Sequence, residues 1–408
     1  MAGIIDKKAE SLFRFFMSKT YGETIEGLWP DLYVPTAIYA QPDGISLLPS
    51  IVQLFGSRVL FITSTVDFNQ YNHLFMSISR SLQSNNIPFI VYDEFPESNT
   101  DYIDSAVYFA RKTHCNLIIG LGGIDSINAA KTVALLTPNY LFAHELFSYP
   151  HLYEPIPFIS IPTHPLFGFE ITPCTIISDI HDGIKKAFFH NYIFPKAIII
   201  DPELSVGVEE DTIAKYTLGT LAIATESVIS KNINNITNTL SLRTIDLVFK
   251  NLHVALQESD NETAKLNLLM ASLMAGIAFS SAQLSVSLAI SLALASLTQI
   301  DIASYMSVML PHIMEYNLTS APGKYVQMSK VMDEDVRDIT VIEAAIKAVE
   351  GVRKLALDVD IPQRLSQFDV NKTIFSKVAE ITLSYPFIQN APRVLNRDEV
   401  ETILIAAY

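Results

Sequence analysis

The chain has 408 residues, 49% of them hydrophobic, with 28 Lys and Arg against 43 Asp and Glu for a net charge of −15. That length suits two domains of roughly 150 to 200 residues better than one core, and the acidity repels nucleic-acid backbones and anionic membrane surfaces, so no nucleic-acid partner is expected. The two cysteines, Cys115 and Cys174, lie in apolar stretches without CxxC or Cys/His spacing, which argues against a disulfide framework or zinc knuckle and for a reducing, cytoplasmic setting.

In chain order, Asp6, Lys7, Lys8, Glu10 and Arg14 precede any long apolar run, unlike a secretory signal, and predict a helical extension over residues 1–34. Short β-rich runs then alternate with helical stretches: 59–63, 89–92, 117–120, 158–161 and 197–200. Continuous apolar runs of this kind are buried on both faces, as in a parallel sheet covered by helices. An α/β domain with a Rossmann-like parallel sheet is therefore expected over residues 35–204.

Asp201-Pro202 closes the last strand, after which the apolar spacing turns helical over 212–230, 241–256, 264–298, 304–316, 341–355, 372–383 and 397–407. Prolines at 311, 322, 362, 386 and 392 punctuate it as helix starts and stops. An all-helical domain is expected over 205–408. Residues 266–300 carry no charge and exceed the ~20 apolar residues that span a bilayer. Asn267, Gln283, Gln299 and seven scattered serines favour instead a helix buried inside a large domain, and no membrane span is expected.

The passage Gly120-Leu121-Gly122-Gly123-Ile124-Asp125-Ser126-Ile127-Asn128-Ala129-Ala130-Lys131, between a strand and a helix, sets backbone N–H groups and a helix N-terminus where a phosphate can sit. It resembles the GGGSxxDAAK phosphate loop of the iron-containing alcohol dehydrogenases. Pro162-Thr163 through Gly168, Glu170 and Thr172 resembles that family's PTTAGTGSEVT turn, and Ile200-Asp201-Pro202-Glu203-Leu204 its VDPEL strand end. Residues 270–280, Leu310-Pro311-His312, Asn390-Ala391-Pro392-Arg393 and the closing Ala406-Ala407-Tyr408 continue the resemblance in the same order. It implies the iron-containing alcohol dehydrogenase and dehydroquinate synthase-like fold.

Members of that family hold a divalent metal with one aspartate and three histidines of the helical domain; the metal polarises the alcohol oxygen while NAD(P) accepts the hydride. Counted from the matching passages, the ligand positions fall on Gly219, Ile223, Leu288 and Ile302, and a further active-site histidine falls on Leu292. All are apolar, whereas such a metal needs N and O donors. Between Asn191 and Leu310 the single histidine is His253, so no shift of register restores the set. These five positions are expected to converge as a dry apolar cluster at the domain interface, with no metal ligand and no catalytic residue.

The cofactor side departs similarly. Ile124, Asp125 and Asn128 replace the loop's third glycine, serine and aspartate, opposing a pyrophosphate by bulk and by like charge. His164, Pro165, Leu166, Phe167 and Phe169 replace the small residues of the second loop, the two phenylalanines being expected to fill a nicotinamide-sized cleft. Ser64 stands for the aspartate after the family's first strand. Gly122, Gly123, Asp125, Ser126, Lys131 and Thr163 are read as at best the vestige of a dinucleotide site, and Gly122, Gly123, Lys131 and Thr163 could equally be scaffold. Glu170 and Glu226 have no identifiable acid/base partner, and Glu226 and His312 read as structural.

The resemblance and its departures imply a catalytically inactive member, a pseudoenzyme, without cofactors. A scaffold, assembly subunit or sensor is expected, as a homo-oligomer or a hetero-oligomer with an active paralogue. The alternative is an NAD(P)-dependent alcohol dehydrogenase whose active site is metal-independent or relocated, using NAD(P) and iron or zinc.

Overall fold

A computed structural model describes residues 32–149 and 152–408; all but the last three residues of the extension predicted over 1–34 lie outside the described residues. The first half is built on six parallel strands: β1 (Ala37–Ala40), β2 (Val59–Ile62), β3 (Phe89–Tyr92), β4 (Leu117–Gly122), β5 (Phe158–Pro162) and β8 (Ala197–Ile200), in the order β1-β8-β5-β4-β2-β3. Side chains alternate across the sheet. Val59 and Phe61 face one core with Leu48, Ile51 and Val52 of helix α1 (Leu48–Phe55), while Leu60 and Ile62 face the other. Both faces are covered, which is why β2, β4, β5 and β8 read as unbroken apolar runs.

Two features escape the apolar-run criterion. The edge strand β1 is only four residues long, Ala-Ile-Tyr-Ala, with its first half exposed, so its apolar run is too short to stand out in the sequence. The strands β6 (Cys174–Asp179) and β7 (Ile184–Phe189) form a separate antiparallel hairpin that reverses at Asp182-Gly183, with Gly183 at φ 71°. An Asp-Gly pair between two apolar runs is the local signal for such a reversal.

Four helices of the first half matter to the site: α2 (Thr65–Gln70), α3 (Asn72–Ser84), α4 (Thr100–Lys112) and α5 (Ile124–Leu136). The second half is helical, with α6 (Glu210–Ile229), α7 (Asn235–Gln257), α8 (Glu262–Ala282), α9 (Val286–Leu297), α10 (Ile302–Asn317), α11 (Pro322–Val331), α12 (Val341–Asp358), α13 (Phe375–Thr382) and α14 (Arg397–Ala406).

The single helix expected over 264–298 is two. Gln283 ends α8 in the left-handed conformation at φ 46°, and Ser285 caps α9 by accepting from Leu288 N. The Glu226 carboxylate takes the next donors, Val286 N at 2.5 Å and Ser287 N at 3.0 Å. Orphan N–H groups at a buried helix start need such partners, so the break is fixed by a residue some 60 positions away. Among the described residues α8 alone is long and apolar enough to cross a membrane, and most of it is buried in the fold.

Candidate functional site

In parallel sheets, ligands gather outside the carboxyl ends of the strands. Here the loops leaving β4 and β5 meet the helical half at that place. The β5–β6 loop is locked there by backbone contact: a Cβ on Gly168 (φ 86°) would lie 2.1 Å from Gly276 Cα of α8, so neither position accepts a side chain. Ser272 Oγ of the same helix accepts from Leu166 N at 2.9 Å and Gly168 N at 3.0 Å.

This anchoring throws Phe167 into the cleft. Its φ of 59° is left-handed, a conformation that costs a non-glycine residue roughly 1–2 kcal/mol. Its ring stacks on Tyr216 of α6, with centroids 4.7 Å apart and planes at 9°. The same ring lies over Gly219, where a Cβ would be 2.2 Å from Phe167 Cε1. Gly219 is therefore a glycine for steric reasons: the space of its missing side chain belongs to Phe167. His164, three residues earlier in the loop, packs edge-on against Tyr216 with centroids 4.7 Å apart. Phe169 differs from its expected place. It turns away from the cleft into the core beside Phe279, and only Phe167 of the two aromatics fills the cleft.

Of the other implied positions, the ligand positions Ile223 and Leu288 and the further active-site position Leu292 are wholly buried in the main apolar core on α6 and α9. Ile302, at the start of α10, is half-buried and packs against that core. It also lines a cavity of about 210 Å³ between the halves, together with Asp125, Asn128, Tyr216, Gln299 and Asp301. The cluster is thus dry at four positions and borders a small polar cavity at the fifth. Two of the cavity's carboxylates are engaged. Asp125 accepts from Ser98 N and Oγ at 2.8 and 3.0 Å, and Asp301 caps α10 through Ser304. Asn128 Oδ1 is buried without a partner.

At the phosphate loop, Gly122 (φ 132°) and Gly123 lead into α5. Asp67, on α2 after β2, closes it. Its Oδ2 accepts from Gly123 N at 3.0 Å, Ser126 Oγ at 2.5 Å and Ser64 Oγ at 2.9 Å. Burial pushes the Asp67 carboxyl upward and these hydrogen bonds oppose that rise. Sequence reading missed Asp67, although Ser64-x-x-Asp67 after a strand is a helix-start signature: Ser64 Oγ accepts from Asp67 N at 3.0 Å.

Lys131 does not reach this loop. Its ammonium donates to the carbonyl oxygens of Phe169, Thr172 (2.8 Å) and Cys174 (2.8 Å), tying the second loop to α5, and burial lowers it to about 7. Glu170, buried beside it, is raised by desolvation to about 7. Thr163 is buried between the loops, its hydroxyl 3.1 Å from His164 Nδ1 and its carbonyl accepting from Ser205 Oγ at 2.7 Å. The polar groups of Lys131 and Thr163 are thus bonded within the chain. His312 is buried within α10, with Nε2 3.5 Å from Gln363 O.

Family models match most of the chain: iron-containing alcohol dehydrogenase over residues 35–202 and the C-terminal region of the Fe-containing alcohol dehydrogenase family over 213–408. The chain belongs to the iron-containing alcohol dehydrogenase family. It is 25% identical over 382 residues to the 1,3-propanediol dehydrogenase of Klebsiella pneumoniae, covering 93% of this chain and 98% of that one. A crystal structure of 1,3-propanediol oxidoreductase superposes with a TM-score of 0.87 at 25% identity, covering 93% of this chain and 100% of that one. The sulfoacetaldehyde reductase of Bifidobacterium kashiwanohense, solved in complex with NAD+, shares the fold with a TM-score of 0.81 at 20% identity, over 93% and 99% of the two chains.

These findings correct the expectation that the chain takes no cofactor. The family is defined as iron-containing, so iron is the cofactor that membership implies, and a protein of the same fold was solved in complex with NAD+. Whether this chain's residues suit them is a separate matter. Gly219, Ile223, Leu288 and Ile302 offer no N or O side-chain donor, and among the described residues no three His, Cys, Asp or Glu side chains converge elsewhere. The residues at these positions do not fit iron. Nor does the phosphate loop, as it stands, fit a dinucleotide, because a carboxylate holds the donors that a phosphate would use.

Proposed function

We propose that this family member does not oxidise alcohols by the metal-dependent route and acts as a binding or assembly subunit, pairing with itself or with an active paralogue. The observation that carries the reading is the Phe167 ring packed over Gly219, at the position implied for the ligand aspartate. A carboxylate at 219 has no room there. Breaking one member of a buried polar site strands its partners, whereas replacing the set with apolar groups yields ordinary core, as Ile223, Leu288 and Leu292 do here.

The test is the initial rate of NAD+ and NADP+ reduction by the purified chain with 1,3-propanediol, ethanol and 1-propanol, with ferrous iron or zinc supplied. We expect no rate above that of the buffer. Turnover near 1 s⁻¹, the low end for enzymes, would overturn the reading. It would favour instead an NAD(P)-dependent dehydrogenase with a relocated site, which the cavity lined by Asn128, Asp125 and Asp301 supports as a location.

A further inference from the structure

We propose that Asp67 is a built-in anion occupying the phosphate cradle at the start of α5, so that a nucleotide diphosphate enters only when this carboxylate leaves. The inference holds whether or not the chain oxidises alcohols.

The cradle is complete in its donors. Gly123 N and Ser126 Oγ point into one spot at the N-terminus of a 13-residue helix, where backbone N–H groups and the helix dipole favour negative charge. A bare Cα at Gly122 leaves that spot open: a Cβ would lie 2.4 Å from Asp67 Oδ2. A carboxyl group is therefore already seated where the glycine permits close approach. It belongs to the chain.

The carboxylate is also held from behind. Ser64 caps α2 by accepting from Asp67 N and returns its own hydroxyl to Asp67 Oδ2, while Ser64 N donates to Ser126 Oγ at 2.7 Å. Asp67, Ser64 and Ser126 thus form a closed ring across β2 and β4. A tethered group of fixed orientation competes with a free ligand at high effective concentration. With Asp67 in place, a diphosphate would bring its own negative charges to the same donors, and Asp125 in the first turn of α5 adds another carboxylate nearby. Removing the carboxylate frees both donors and the space over Gly122 together.

The experiment is calorimetric titration of the full chain and of Asp67→Ser and Asp67→Asn with NAD+, ADP and inorganic pyrophosphate. Asp67→Ser opens the space, while Asp67→Asn removes the charge with little change in volume and guards against a variant that fails to fold. We expect at least tenfold tighter binding of NAD+ and ADP in Asp67→Ser than in the unaltered chain, with a smaller gain in Asp67→Asn. A parallel gain for pyrophosphate would assign the diphosphate alone as the recognised group; a gain for NAD+ and ADP only would assign the nucleotide. Equal affinity across the three proteins, with melting curves showing them folded, would overturn the proposal.

Discussion

His164 is one of the cleft groups, with Lys131, Glu170 and Asp67, that burial shifts. It is buried, its Nε2 has no partner, and desolvation lowers it from 6.5 to about 4. In the folded chain the ring stays neutral over a range in which the unfolded chain takes up a proton. Its contribution is therefore fully present above pH 6.5, lost as pH falls towards 4, and constant below. The linkage is on the order of 2–3 kcal/mol. His190 is lowered in the same way, so a variant must isolate the effect. Denaturant unfolding at pH 7 and at pH 4.5 should show His164→Gln losing less stability on acidification than the unaltered chain, by that order. Equal losses would remove His164 from the account.

At the scale of elements, the cleft is closed by a loop against a helix, and the Phe167 ring of the one fills the space over Gly219 of the other. Gly219→Ala places a methyl 2.2 Å from the Phe167 ring, and overpacking of this kind typically costs 1–3 kcal/mol. In a Phe167→Ala background the same change meets empty space and should be nearly neutral. The double-mutant cycle should therefore give a coupling of at least about 1 kcal/mol. Additive effects, measured by denaturant midpoint, would mean that ring and glycine do not share the space. The break between α8 and α9 follows the same logic, since Glu226 on α6 supplies the acceptors that the start of α9 lacks.

For the whole molecule, the core decides how the halves behave. One apolar cluster runs from Leu60 and Ile118 of the sheet through Phe167 to the helices around Leu288 and Val352. The Gly168 and Gly276 backbones touch across the halves. Halves sharing a core and a backbone contact should unfold together, so differential scanning calorimetry is expected to give a single transition with equal calorimetric and van't Hoff enthalpies. Two resolved transitions would show that the cleft is a seam and not a core.

Much of this was legible in the residues. Strands β2, β3, β4, β5 and β8 announce themselves as apolar runs between turn signals, and the apolar identity of Gly219, Ile223, Leu288 and Ile302 is a property of the sequence. The edge strand β1 carries the signal over only four residues, two of them exposed, and in the hairpin β6–β7 polar residues interrupt it and the Asp-Gly turn is the local sign. The inward turn of Phe169 and the three carbonyls around Lys131 could not be read, because both depend on where a loop lands.

The sequence by itself therefore determined which chemical groups exist at each position, the family they resemble and the periodicity that makes the elements, because these depend on residues close together in the chain. Only the tertiary structure decided that the Phe167 ring takes the space of Gly219's missing side chain, that Glu226 starts α9 and that Asp67 sits in the phosphate loop. Those contacts join residues some 50 to 60 positions apart, and no local propensity encodes them; they exist once the sheet and the helices have packed.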